Sequence, residues 1–150
     1  MRDSFIELFT RDLDQLKVEI SLYGKEDAIW IVKPGILNSS GTLCLHLVGN
    51  LNHFVGAVFG NSGFIRNRDT EFSSRNVLRT KMIEEIDITK GVIANTLNGM
   101  NAADFAKSFP LEKHGKIVTT EFMLMHLLTH FSYHLGQINY HRRIVEGAES

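Results

Sequence analysis

The sequence predicts an all-α fold, a four-helix bundle, and three observations carry that reading. Apolar residues recur at three- and four-residue steps through four long segments. The only two prolines, Pro34 and Pro110, both fall between those segments, where an all-helical chain must keep them. Each segment of about 20 residues is about 30 Å long, and four of them account for one domain spanning residues 1–150. Apolar residues at 43% and charged residues at 22% are a globular mixture and exclude extended disorder.

The first helix is expected from Arg2 to Tyr23. Phe5, Leu8, Phe9, Leu13, Leu16 and Ile20 form its apolar stripe, and Gly24 is its stop. Residues 25–41 form a connector whose Ile29-Trp30-Ile31-Val32 run packs as a lid, a short strand being the alternative. The second helix begins at Thr42, or at a Ser39/Ser40 cap, and runs to Gly60. A polar connector, 61–79, follows; extended, it reaches about 60 Å, so the second and third helices can lie parallel. The third helix is placed at 80–98, with Met82, Ile83, Ile86, Ile93 and Leu97 inward. A short turn capped by Asn101 comes next, and the fourth helix spans 120–146.

Charge excludes several functions. Sixteen basic residues against seventeen acidic ones give a net charge of -1, so no global field recruits nucleic acid. A single cysteine, Cys44, fits a reducing cytoplasm. The opening MRDSFIELF has no secretory apolar core. No Asp, Glu, Lys or Arg occurs from Pro34 to Ile65, yet Asn38, His46, Asn50, Asn52 and His53 are too polar for a membrane span. The second helix is uncharged, and Glu121 is the only formal charge from Ile117 to His141. Helices uncharged all round are expected to be buried all round, which calls for a homodimer or for cover by the long connectors.

Four of the seven histidines, His126, His130, His134 and His141, lie in the last helix. With Gln137 they fall within an arc of about 80°, while His46, Asn50 and His53 share about 60° on the second helix. Cys44 points the opposite way and reads as core. Two imidazoles four residues apart can converge on one ion, so the candidates are His126/His130 or His130/His134, completed by His46 or His53. A neutral polar seam of satisfied histidines is the bland alternative.

The stretch His130-Phe131-Ser132-Tyr133-His134-Leu135-Gly136-Gln137-Ile138 resembles the closing signature of the DinB/YfiT-like metalloenzymes, and His46-Leu47-Val48-Gly49-Asn50 resembles their second-helix segment. The resemblance covers nearly the whole chain. It implies an up-down-down-up bundle and a metal held by His46, His130 and His134. Asn50 departs from the acidic residue that thiol-transferase relatives show more often. The Arg66-Asn67-Arg68-Asp69-Thr70-Glu71-Phe72 loop reads as a solvated crossover pinned by Phe72 and local ion pairs. Alternatively, Arg66, Arg68, Arg75, Arg79 and Lys81 greet an anionic thiol cofactor or a carboxylate substrate.

Three neutral imidazoles leave a coordination position open, the arrangement of a catalytic site, and suit Zn²⁺, Ni²⁺ or Fe²⁺. Such an ion acidifies water or a thiol. The resemblance favours transfer chemistry on a low-molecular-weight thiol, with a small-molecule substrate. The rival expectation is a non-catalytic, stress-associated helical dimer with a structural or vestigial metal. Asn50, Gln137 and His126 are candidates to orient the imidazoles, and His53 is a pocket candidate.

Overall fold

The computed structural model describes residues 1–147, and its framework is helical throughout. Helix α1 (Arg2–Ser21) buries Phe5, Phe9, Leu13, Leu16 and Ile20 of the stripe read from the sequence, with Leu8 half-buried. The chain then makes a 3-10 turn, Glu26–Trp30, that buries Ala28, Ile29 and Trp30 while Ile31 and Val32 stay exposed. The alternative of a strand here is not met. This segment wedges the Trp30 ring against α2, where a Cβ on Gly41 would stand 2.7 Å from it. Only a residue without a side chain admits that ring.

Helix α2 (Ser40–Leu51) starts at the Ser39 cap, whose hydroxyl accepts from the Thr42 N–H at 3.1 Å. The expected continuous helix to Gly60 instead changes pitch, becoming a π-helical turn over Asn52–Ala57. The Asn52 side-chain amide donates to the Val48 carbonyl at 2.9 Å and to Thr89 Oγ1 at 2.8 Å. A side chain inserted into the ladder in this way competes with the regular backbone pairing, and π turns mark such places. The looser pitch is seen in Val58 and Gly60, whose N–H groups reach back five residues to His53 and Val55.

The crossover is more ordered than expected. It contains a short helix, α3 (Arg68–Ser73), whose first turn is held by Asn67 Oδ1 accepting from the Thr70 N–H. Helix α4 (Arg79–Asn98) buries Met82, Ile86, Thr89, Ile93 and Leu97. Its own cap residue, Leu78, offers no side-chain oxygen, so the Glu26 carboxylate accepts from the Arg79 N–H in its place. Helix α5 (Ala102–Ala106) carries a reciprocal Asn101/Asp104 capping box. Helix α6 (Thr120–Val145) is capped by Thr119.

Four long helical segments, α1, α2 with its π turn, α4 and α6, surround one core. Lys17 pairs with Asp87 and Lys90 with Asp14, so α1 and α4 run oppositely. Ser132 and Asn139 bond Asp12 and Glu19 at one constant offset, so α1 and α6 run the same way. Asn52 meets Thr89, and Gly56 faces Val92, so α2 and α4 also share a direction. Helix α2 is buried at every position except Leu45, as its lack of charge implied. Helix α6 is not. Phe122, Met125, Tyr133, Tyr140 and Ile144 lie along one exposed face, half or more open except Ile144 at 48%. The bundle covers only the inner side of α6, and uncharged composition misled on that point.

Candidate metal centre

His46 sits mid-helix on α2, and His130 and His134 sit one turn apart on α6. Packing of these two helices brings the three together, with one ring nitrogen of each within 4.8 Å of the others. The His130 and His134 ring centres are 4.6 Å apart, and the His46 ring lies 5.1 Å and 5.4 Å from them.

Hydrogen bonds decide which nitrogens face inward. His46 Nδ1 lies 3.1 Å from Glu71 Oε1 and His134 Nδ1 lies 2.6 Å from Gln137 Oε1. Carboxylate and amide oxygens only accept, so each Nδ1 carries the proton and each Nε2 presents a lone pair. His46 Nε2 then faces His130 Nε2 at 3.2 Å. Donors bound tetrahedrally at about 2.0–2.1 Å from an ion stand about 3.4 Å apart, close to that spacing. His130 Nδ1 is buried without a partner. If His130 donates to His46, its Nδ1 lone pair is orphaned; otherwise two lone pairs oppose one another. A cation shared by the three Nε2 atoms relieves the facing lone pairs, leaving His130 Nδ1 protonated and unpartnered, so the donor set fits a divalent ion.

Electrostatics agree. Burial lowers the His46 pKa, against the opposing pull of Glu71. Burial, then the neighbouring His134 and His46, lowers that of His130 to about 4. Both are neutral at pH 7, the form a metal needs.

The crossover reaches into this centre, which the sequence reading missed. Glu71 is buried and held in a fork by Arg66, with Nε to Oε2 and Nη2 to Oε1 both at 2.8 Å. The Phe72 ring lies 5.0 Å from His46, and the Arg68 guanidinium covers its face at 4.8 Å. Gly49 makes room for the carboxylate: a Cβ there would stand 2.1 Å from Glu71 Oε2. Glu71 lies 25 residues from His46 in sequence, so no helical period could have linked them. A glycine inside an uncharged helix was the one signal in the sequence.

The remaining candidates separate. Gln137 touches His134 directly. Asn50 is buried one turn beyond His46 and bonds none of the three imidazoles. His126 stacks 6.3 Å from His130, with His114 on its other side at 6.5 Å. His53 packs on Phe54 at 4.7 Å and is not among the convergent histidines. His141 belongs to a polar seam: Nε2 lies 2.8 Å from the Ile31 carbonyl and Nδ1 2.6 Å from the Tyr23 hydroxyl, which also meets Ser40 Oγ at 2.6 Å. Because Ile31 only accepts, Nε2 is protonated and Tyr23 donates to Nδ1.

Cys44 is fully buried, its thiol pushed up to about 12 by desolvation, and is core as expected. The basic residues of the crossover do not form one patch. Arg66 is spent on Glu71, Arg68 on Phe72, Arg75 on the Phe72 and Ser74 carbonyls, Arg79 Nη1 on the Ser21 carbonyl at 3.4 Å with its Nε buried and unpartnered, and Lys81 on Glu84 and Glu85.

No helix among the described residues is long and apolar enough to cross a membrane. No curated protein matches the chain significantly. A family model described as "Protein of unknown function (DUF1572)" matches residues 3–150, and the chain belongs to that family.

Proposed function

We propose that this protein is a metal-dependent enzyme of the DinB/YfiT-like kind, an up-down-down-up four-helix bundle holding one divalent ion on His46, His130 and His134. The observation that carries the reading is the convergence of three imidazoles, two of them fixed by Glu71 and Gln137 with Nε2 inward. Zn²⁺, Ni²⁺ and Fe²⁺ all suit an all-imidazole donor set. When bound, the ion supplies Lewis-acid chemistry, acidifying a low-molecular-weight thiol or water. Glu71 keeps the proton of His46 on Nδ1, Gln137 does the same for His134, and the Arg66 fork holds the Glu71 carboxylate in place. Asn50 and His126 flank the centre, and His53 stands at its periphery. The reaction class is thiol transfer on a small-molecule substrate, in the cytoplasm, with neither nucleic acid nor membrane as partner.

The exposed apolar face of α6 favours a second reading, a non-catalytic homodimer with a structural metal. Metal content of untagged protein by elemental mass spectrometry, with a thiol-transfer assay on the loaded protein, separates the two. About one equivalent, lost in His130→Ala/His134→Ala, together with turnover, is the expected result. Metal loss that unfolds the protein, with no turnover of any thiol, selects the structural role. Folded protein that takes up no metal overturns both.

A further inference from the structure

A cleft of about 430 Å³ opens beside His134, between the 35–38 loop, the start of α2 and the second half of α6. His134 and Gln137 line one end. Leu37, Leu43 and Ile144 supply its aliphatic surface, and the Tyr133 and Tyr140 rings its aromatic one. Asn38 and Gln137 bring amides, and none of the lining residues is an Asp, Glu, Lys or Arg. Concave, mainly apolar sites with a few converging polar groups are the usual form of small-molecule pockets.

We infer that this cleft seats the body of the substrate, and that this body is uncharged and apolar or aromatic. The inference rests on the metal-site reading only for which end reacts; the cleft's chemistry stands by itself. Burying a carboxylate or phosphate requires a paired charge, and away from the metal end at His134 the lining holds no Asp, Glu, Lys or Arg to supply one. The α2 N-terminal amide of Thr42 is already taken by Ser39. Two cations stand outside the lining: Lys33 Nζ donates to the Ile144 carbonyl at 3.5 Å, and the exposed Arg143 guanidinium lies 5.6 Å from the Tyr140 ring centre. The crossover cations are spent on their own partners, as described above. A flat neutral group can instead lie along Tyr133 and Tyr140, gaining apolar contact, while its polar end reaches Gln137 and His134.

The test uses metal-free full-length protein and the neutral dye Nile red, displaced by benzyl mercaptan or by mercaptosuccinate. The wild type is expected to bind the dye, with affinity falling at least about fivefold in Leu37→Asp and Tyr140→Ala. Both positions are exposed, so both variants fold. Val18→Asp, at an exposed site on α1, leaves dye binding unchanged. Benzyl mercaptan displaces the dye at a concentration at least about tenfold below mercaptosuccinate. Equal displacement by the dianion, or equal dye binding in all variants, overturns the inference. Because no metal is present, absence of metal uptake defeats the proposed function while leaving this result readable.

Discussion

Glu71 shows how a single side chain can tie a distant loop to a site. Its carboxylate accepts from His46 and is forked by Arg66, and it fits only because residue 49 is glycine. Carboxylates behind a ligating imidazole raise its basicity and fix its orientation, and their loss costs about 10–100-fold in metal affinity. Glu71→Gln is therefore expected to weaken Zn²⁺ binding by that factor in a chelator competition while leaving the far-ultraviolet spectrum unchanged. Gly49→Ala displaces the carboxylate and adds a packing cost, so both affinity and melting temperature fall. Gln137→Ala acts on His134 alone and gives the smaller loss, since an amide oxygen is the weaker acceptor. One-turn spacing made His126/His130 and His130/His134 legible as pairs, and the choice of His130/His134 with His46 came from the resemblance to the DinB/YfiT-like signature. Glu71 and Arg66 were not, because their pairing with His46 is a tertiary event that no period encodes.

At the scale of elements, the four long segments were visible from apolar spacing, and two starts from their caps: Ser39 and Asn101 both cap as read, while the Thr119 cap of α6 was not read. The π turn was invisible, because Asn52 distorts α2 only through its partner Thr89 on α4. Removing that buried amide leaves Val48 and Thr89 short of a donor, so Asn52→Ala is expected to cost about 1–3 kcal/mol in urea unfolding. Gly91, inside α4 with open space where a Cβ would stand, behaves oppositely. Gly91→Ala is expected to gain about 0.5–1 kcal/mol by the same measurement, from helix propensity and a less flexible unfolded chain.

Across the whole molecule, burial of histidines makes stability depend on pH. The folded-state pKa of His130 is lowered to about 4, and burial lowers those of His46 and His141 as well. The unfolded chain therefore binds more protons. The contribution is fully present above about pH 6.5, the unfolded value, and is lost as pH falls through the folded values. Because His130 is only partly enclosed, its share is on the order of 2 kcal/mol rather than the full shift. Metal-free protein melted between pH 7.5 and 4 should lose stability mainly below 6.5, and His130→Ala should flatten that slope.

The open face of α6 is a separate matter for the assembled molecule. If a second copy covers it, light scattering gives twice the protomer mass, and Phe122→Asp/Met125→Asp halves it. A wild-type mass of one protomer removes the homodimer.

X-ray absorption at the zinc edge of loaded protein tests the central claim most directly. Three histidine imidazoles at about 2.0–2.1 Å, reduced in number in His134→Ala, are the result expected. Zinc bound mainly by oxygen, or a spectrum identical in His134→Ala, would contradict the assignment of His46, His130 and His134 as its ligands.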